Sequence, residues 1–471
     1  GPLVPTMACT RRAVAFVATM AVINVLGAPS VLAGRGDSVL AAGTSPWQIH
    51  LALAGRGADG ASSSMTVSWV TNGTTATSTV EYGLSPTALS QSATGTSNSY
   101  YAPTVSHHVV LPGPLKPATR YYYRCGDAAG GWSDVRSFSS APTSDAAITV
   151  MVVGDQGLYN SNATVELMKQ HVDAVDFLLH VGDIGYADDA FLHDPLKFGY
   201  EPTWNQYMSN LEPLVSANAM QVCPGNHESE CHSPICVLSK TKKAAFANFS
   251  AYNHRFRMPI GPDESNSGTN MWSSYNYGMV HFVNIDTETD YPGAPLDDYF
   301  SKSGGFGRQL DWLEADLARA ASERDVRPWI IVSGHRPIYT ISGCNADGSL
   351  KGQHLKTAAA FEGLLRKYKV DLFLAGHVHA YERQYPVYNA TRMGTYADPG
   401  ATVHMVVGTG GDTEGHQSYD GKPRPSWHAE DNDTDFGFGV LKVTDAKTLS
   451  WQFLRASDGS VADSFTLTRS S

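Results

Sequence analysis

The sequence predicts two joined folds: an all-β domain over residues 45–142 and an α/β domain over residues 147–467. Three observations carry this. The first hundred residues after position 45 alternate apolar with polar side chains in short runs between turns. After position 147, continuous apolar runs alternate with segments of helical spacing. The polar, Pro-containing stretch FSSAPTSDA (138–146) separates the two patterns.

In the first part, MTVSWVT (65–71), STVEYG (78–83), SHHVVLPG (106–113) and TRYYYRCG (119–126) read as strands, and Trp69 with Tyr121–Tyr123 as their core. In the second, AITVMVVGD (147–155), DFLLHVGD (176–183), MQVCPGN (220–226), PWIIVSGH (328–335) and VDLFLAGHVH (370–379) read as buried strands. Helical spacing runs through 163–173, 204–215, 308–320 and 356–368, and MWSSYNYGMVHFVNID (271–286) reads as a hairpin. Further strands follow in the tail from residue 401. Residues 229–243 and 341–354 look like insertion loops.

The chain has 471 residues and a net charge of −11, from 34 basic and 45 acidic side chains, with no long basic run. Such a chain is poorly suited to nucleic acid or an anionic membrane. An anionic substrate would need local positive charge, which bound metal ions supply. Residues 1–6 precede the first Met and read as a vector-derived remnant or an upstream extension. From Met7, a basic pair (Arg11, Arg12), an apolar run and a small-residue site ending at Ala33 read as a cleaved secretory signal. The run is short for a bilayer, where ~20 apolar residues are the norm, and no later stretch is suited to a stable membrane span. The expected destination is the secretory pathway, leading to the exterior or a lysosome- or vacuole-like compartment. In that setting Asn72, Asn162, Asn248, Asn389 and Asn432, each in Asn-x-Ser/Thr, are glycosylation candidates. Five cysteines remain beyond the signal, so at least one is free or intermolecular; Cys231 and Cys236 are the disulfide candidate. A zinc knuckle lacks a second thiol pair. Residues 34–38 (GRGDS) contain an adhesion tripeptide, a pattern too short to carry a role.

The chemistry lies at strand ends. GDQG (154–157) supplies Asp155, GDIGY (182–186) supplies Asp183 and Tyr186, and GNHE (225–228) supplies Asn226 and His227. VSGH (332–335) supplies His335, and GHVH (376–379) supplies His377 and His379. Metal-type residues recurring after apolar strands imply one crevice, because loops at strand C-termini converge. The glycines beside them (154, 182, 225, 334, 376) are expected to allow tight turns and a close approach to bound ions.

These five blocks resemble those of the purple acid phosphatases, within the calcineurin-like metallophosphoesterase superfamily, over about residues 45–465, including YNHRFRMP and QLDWLEADL. Tyr186 is the discriminating residue. The resemblance implies an α/β metallophosphoesterase sandwich, two mixed β-sheets flanked by helices, behind a fibronectin type III-like domain. It implies Asp155, Tyr186 and His379 on Fe(III), Asn226, His335 and His377 on a divalent Zn, Mn or Fe, and Asp183 bridging both. Carboxylate and phenolate suit a hard trivalent ion, imidazole and amide a borderline divalent one. The implied activity is an acid phosphatase hydrolysing small phosphate monoesters by attack of a metal-bound hydroxide. Asn226 and His227 would contact substrate, with His227 protonating the leaving group.

One departure from the family's plant enzymes is that no His follows His335 before His354, where they carry further substrate-facing histidines. Tyr339 and Arg383 could line the pocket. His171, His281, His404, His416 and His428 read as structural or surface residues. A phosphodiesterase or nucleotide pyrophosphatase could use the same metals, and a non-catalytic cell-surface binding protein is a third reading. GxSxG and GxxxxGK[ST] are absent, so serine hydrolase and P-loop readings fail. Oligomeric state is not encoded legibly.

Overall fold

The computed structural model describes residues 43–55, 64–195, 197–261, 263–295 and 301–470. The expected signal (1–33) and GRGDS (34–38) lie outside the described residues. No helix among the described residues is long and apolar enough to cross a membrane.

Two large mixed sheets form the centre. One has ten strands, with Ile148–Val153, Phe177–His180 and Ala219–Val222 parallel in its middle. The other has seven, with Val280–Asn284, Trp329–Ser333, Leu372–Ala375 and Val403–Val407 parallel. Both faces of these strands are covered, which is why they read as unbroken apolar runs. Val150, Val152, Phe177 and Leu179 share one core with Tyr275, Phe282, Ile331, Leu372 and Leu374 of the other sheet. The alternate residues Met151, Val153, Leu178 and Met220 instead join the cluster that contains Trp204 and Leu211 of the helix Tyr200–Val215. On the second sheet, Ile330, Val332 and Phe373 belong with Leu313 and Leu317 of Gln309–Ser322 and Phe361 of Gly352–Lys367. In the helix Gln309–Ser322 the buried positions are Gln309, Trp312, Leu313, Asp316, Leu317 and Ala320, the stripe of an amphipathic helix. Its one buried carboxylate, Asp316, is satisfied by His281 Nε2 at 2.7 Å and the Ser274 hydroxyl at 2.7 Å.

The N-terminal β-domain is not insulated from the rest. Trp47–Leu53, Met65–Asn72 and Thr104–Val110 extend the ten-stranded sheet, joined through parallel pairing of Leu51 with Ala219. The facing sheet is built on Thr79–Gly83 and Arg120–Asp127. Trp69, Tyr121 and Tyr123 are buried, as expected, in the same core that fills the space between the large sheets, whereas Tyr122, on the strand's other face, is only half-buried and lies outside it. Trp69 stacks on His107 with ring centroids 5.0 Å apart.

The segment 229–243, expected as a loop, is mostly two short helices, Pro234–Leu238 and Lys240–Phe246. Ser233 followed by Pro234 is a helix-start signal, since Pro lacks only an N–H that the first turn leaves unpaired anyway. Of residues 341–354, the last three already belong to the helix Gly352–Lys367. The structure joins Cys231 to Cys236 and leaves Cys125, Cys223 and Cys344 as buried thiols.

Candidate metal centre

Five of the seven central parallel strands are followed by a motif block. Asp155 follows Ile148–Val153, Asp183 and Tyr186 follow Phe177–His180, and Asn226 opens the turn after Ala219–Val222. His335 follows Trp329–Ser333, and His377 and His379 follow Leu372–Ala375. The first two loops are zipped together, with Asp155 N–H donating to the Gly182 carbonyl at 3.1 Å and Gln156 N–H to the Asp183 carbonyl at 3.1 Å. The turns are strained. Asp155, Asp183, Tyr186 and His377 all have φ between 48° and 67°, a region that costs a non-glycine residue ~1–2 kcal/mol. Gly182, at φ 86°, makes the tight turn expected of it, and two of the other glycines are required by space. A Cβ on Gly225 would collide with the Asp183 carboxylate, and one on Gly376 with the Asp155 carboxylate. They make room for the proposed ligands.

Two groups of donor atoms result. In the first, Tyr186 Oη lies 2.8 Å from His379 Nε2 and 3.4 Å from Asp155 Oδ1, and the last two are 3.4 Å apart. In the second, His335 Nε2 lies 2.9 Å from Asp183 Oδ2 and 3.3 Å from Asn226 Oδ1. Asp183, His335 and His377 each bring a ligand atom within 4.8 Å of the others. Ligands at right angles on an ion with bonds of ~2.1 Å sit ~3 Å apart, so the donor triangle of the first group matches one face of a coordination shell. All seven sequence-predicted ligands thus converge, with Asp155, Asp183, Tyr186 and His335 fully buried.

The electrostatics are those of a cation site. Burial works against protonating His335, but the Asp183 and Asp155 carboxylates outweigh it and push its pKa to about 9. For His379 burial likewise opposes, and Asp155 and Asp412 raise it to about 11. Burial and the nearby carboxylates, Asp155 and Asp183 foremost, hold the Tyr186 phenol well above its ordinary value. Burial, reinforced by the Arg336 and His335 cations, drives His377 far down. Concentrated carboxylate charge therefore attracts whatever positive charge is available.

The ligands are oriented from behind. His335 Nδ1–H donates to the Val181 carbonyl at 3.0 Å, which leaves Nε2 as the ring atom open to a metal. His379 Nδ1 is held at 3.1 Å from both the Gly415 carbonyl and Asp412 Oδ1, and Asp412 is fully buried. Asp155 accepts the His377 backbone N–H at 2.8 Å. Glu228 Oε2 accepts from Asp183 N–H and Gly225 N–H, both at 2.9 Å, and its Oε1 from Ile184 N–H at 2.7 Å.

A cavity of about 300 Å³ opens onto these donors, walled by His227, His232, Arg336, His377, His379 and Glu414, among others. Sequence reasoning passed over five residues at or behind the cavity: Arg336, Asp188, Asp189, Glu414 and His232. Arg336 bonds through Nε to the buried Glu288 at 2.8 Å, while Nη1 lies 2.7 Å from His377 Nε2 and Nη2 3.3 Å from Asn226 Oδ1. Its signal was its place directly after His335. Asp188, fully buried, lies 2.9 Å from His227 Nδ1 and 2.8 Å from His232 Nδ1. Asp189 and Glu414 complete the acidic side of the mouth, where burial and then the Asp188 charge raise the Asp189 pKa to about 7. His232 falls in the stretch read as an insertion. Tyr339 and Arg383, by contrast, do not line the pocket. Tyr339 bonds to Glu362, and Arg383 makes a two-pronged pair with Asp463 at 2.7 and 2.9 Å.

Three family models match the chain. The N-terminal domain of purple acid phosphatase covers residues 46–140, the calcineurin-like phosphoesterase 148–381, and the iron/zinc purple acid phosphatase-like C-terminal model 401–464. Purple acid phosphatase 22 of Arabidopsis thaliana is 33% identical over 88% of this chain and 83% of its own length. The chain belongs to the purple acid phosphatase family. Acid phosphatase type 7 of Danio rerio is 33% identical over 91% of this chain and 92% of its own. Acid phosphatase A of Cryphonectria parasitica is 32% identical over 90% and 92%. Among solved structures, purple acid phosphatase PPD1 from yellow lupin seeds covers 90% of this chain and 75% of its own at a TM-score of 0.70 and 23% identity. That likeness shows the fold, an N-terminal β-domain before a metallophosphoesterase domain. As a member of this family the protein is a hydrolase of phosphate esters.

Of the five glycosylation candidates, Asn162 and Asn389 are exposed. The amides of Asn248 and Asn432 are engaged, with Gly304 and with Asp435 respectively, and Asn72 ends the strand Met65–Asn72 half-buried.

Proposed function

We propose that the protein is a secreted acid phosphatase acting on phosphate monoesters at a binuclear Fe(III)–M(II) centre, M being Zn, Mn or Fe. The observation that carries this reading is the pair of donor groups, one holding a phenol and a carboxylate, the other an amide and imidazoles, with Asp183 in contact with the second and its charge acting on Asp155 and Tyr186 of the first. Asp155, Tyr186 and His379 would hold the trivalent ion, and Asn226, His335 and His377 the divalent one. A phenol oxygen beside a carboxylate suits a hard, highly charged cation, which favours Fe(III). The iron/zinc description of the C-terminal family model points the same way. Bound there, the two ions would polarise the phosphoryl group and activate water for direct displacement.

The chain's own groups do the rest. Arg336, anchored on Glu288 and facing Asn226 and His377, can take a phosphoryl oxygen. His227 stands with Nε2 3.9 Å from Asp183 Oδ2 and Nδ1 on Asp188. Asp188 fixes the ring so that Nε2 faces the reacting centre, where it can deliver a proton to the departing alkoxide. Burial disfavours the imidazolium, but Asp188 and Asp183 hold it well above its ordinary pKa, so the donor is charged under acidic conditions. The signal read in residues 7–33 and the Cys231–Cys236 bond, suited to an oxidising compartment, support secretion.

Metal analysis of the purified protein, a visible spectrum, and rates on a monoester and its matching diester test the reading together. Expected are two metals per chain, a visible band that Tyr186→Phe abolishes, and faster monoester hydrolysis. An unchanged spectrum in that variant would remove the iron–phenolate assignment, and a faster diester the substrate assignment.

A further inference from the structure

We infer that Asp189 and Glu414 select phosphate monoesters whose alcohol carries an ammonium group two or three carbons from the ester oxygen. This rests on the phosphatase reading above and names a substrate class for the same site. Both residues line the cavity with His227, Arg336 and His377. An oxygen of Asp189, an oxygen of Glu414 and a ring nitrogen of His227 all lie within 4.8 Å of one another. The two carboxylates therefore stand beside the imidazole proposed to meet the departing oxygen. Glu414 Oε2 is also 3.8 Å from His379 Nδ1, but that ring atom is already held by Gly415 and Asp412.

Asp189 lacks a partner of its own. The residue is only 7% exposed, yet its carboxylate accepts no hydrogen bond from any described residue. His227 Nδ1 lies 3.7 Å from it and is bound to Asp188 instead. Asp188 takes both neighbouring imidazoles, His227 at 2.9 Å and His232 at 2.8 Å. Three carboxylates, Asp188, Asp189 and Glu414, thus share two rings, and even with both rings protonated one negative charge is left facing the cavity. A buried carboxylate without a donor is costly, and a cation arriving from outside relieves that cost. An ammonium suits this niche better than a metal ion. His227 gives its Nδ1–H to Asp188, so the niche offers only the oxygens of two carboxylates, where a hard cation takes about six to eight. Three N–H donors, by contrast, are satisfied by two carboxylates and water.

Polarity assigns the end of the substrate that comes here. Arg336 lies beside Asn226 and His377, at the proposed divalent ion, and draws the phosphate. The two carboxylates adjoin His227 and His379 instead. With the phosphate at the metals and the ester oxygen at His227 Nε2, the alcohol extends along the acidic wall. A two-carbon amino alcohol puts its nitrogen three bonds of about 1.5 Å from the ester oxygen, within reach of a niche set against the same ring. An anionic alcohol meets like charge there and is disfavoured. Neither carboxylate takes part in the proton transfer.

The experiment uses the metal-loaded full chain with Asp189→Asn, Glu414→Gln and Glu414→Lys. Substrates are phosphoethanolamine, propyl phosphate and phosphoglycolate, which carry a cation, no charge and an anion on alcohols of similar size. Burial and the Asp188 charge raise the Asp189 pKa to about 7, so rates are compared at pH 7.5, where its carboxylate is charged. Binding of 3-aminopropylphosphonate and butylphosphonate, which have no ester bond to cleave, is followed by calorimetry at the same pH. Wild type is expected to prefer phosphoethanolamine over propyl phosphate about tenfold in kcat/KM, the scale of a charged-group hydrogen bond, and to accept phosphoglycolate least. Asp189→Asn and Glu414→Gln should each cut that ratio severalfold, with a matching loss of aminophosphonate affinity relative to butylphosphonate. Glu414→Lys, at a half-exposed side chain, should turn the order toward phosphoglycolate. No preference among the three esters in wild type, or a preference unchanged in every variant, overturns the assignment. A wild-type protein that hydrolyses none of the three, at pH 5 or 7.5, overturns instead the phosphatase reading beneath it.

Discussion

Replacing Glu228 is expected to damage the centre without touching a proposed ligand. Its carboxylate is fully buried and takes three backbone N–H groups: Asp183 and Gly225 at 2.9 Å and Ile184 at 2.7 Å. It therefore clamps the loop carrying Asp183 to the loop carrying Asn226. Asp183 sits at φ 50°, a conformation that must be held. Glu228→Ala strands three buried donors at ~1–3 kcal/mol each, about 3 kcal/mol at the low end even if water relieves part of the cost. Glu228→Gln keeps the shape and one acceptor oxygen but turns an NH₂ toward an N–H, so its effect should fall between wild type and alanine. Loss of such supporting bonds typically lowers metal affinity 10–100-fold. Chelator competition on the metal-loaded proteins, with melting temperatures in parallel, reads both effects. The expected order is wild type, then Gln, then Ala, in affinity and in stability alike. Wild-type metal affinity in both variants would refute the clamp.

Other expectations follow from the same geometry. Asp183→Asn should strip both metals rather than one, read as metal content per chain after dialysis, because a neutral amide is a poor bridge between cations. Arg336→Lys keeps the charge but loses the fork that reaches Glu288, Asn226 and His377, so kcat/KM should fall ~10–100-fold, the range for lost charged hydrogen bonds, with metal content retained. Retention of full activity would exclude Arg336 from phosphate binding. His404 is buried with neither ring nitrogen hydrogen-bonded, and burial pushes its pKa down to about 3. The unfolded chain takes up that proton below about 6.5 and the folded one does not, so stability present above pH 6.5 is lost as pH falls toward 3, at up to ~1.4 kcal/mol per pH unit. His404→Leu, set among the Tyr339 and Phe373 rings, should show a shallower loss between pH 6 and 4; an identical pH dependence would refute the titration.

The sequence made the central strands and the convergence of Asp155, Asp183, Tyr186, Asn226, His335, His377 and His379 legible, because local rules govern both. A buried parallel strand must be apolar on two faces, and the loops at its C-terminal end must share a crevice. What stayed hidden depends on partners far along the chain. The pairing of Leu51 with Ala219, which merges the N-terminal strands with the catalytic sheet, leaves no mark on either segment. The acceptor for His227 and His232 is Asp188, dozens of residues away, and nothing in GYADD distinguishes it from a surface acid. For Tyr339 and Arg383 the sequence leaves a pocket role and a structural role equally open, and the structure pairs each with a carboxylate away from the cavity.

The arrangement also explains why the motif blocks are whole peptides rather than single residues. Asp155 accepts the His377 backbone N–H, Asp183 Oδ1 accepts the His227 backbone N–H at 2.9 Å, and Glu228 accepts the Asp183 backbone N–H. The Asp155 carboxylate proposed to bind a cation thus also holds His377 in its left-handed turn, while Glu228, which is not a proposed ligand, holds Asp183 in its own. Charge and backbone geometry depend on one another here: removing a carboxylate releases a turn, and releasing a turn misplaces the next donor. Gly225 and Gly376 belong to this logic, since any side chain there would displace the oxygen that closes the circuit. A site so interlocked can be set before any cation arrives, which is the condition for electrostatic preorganisation toward a phosphoryl group.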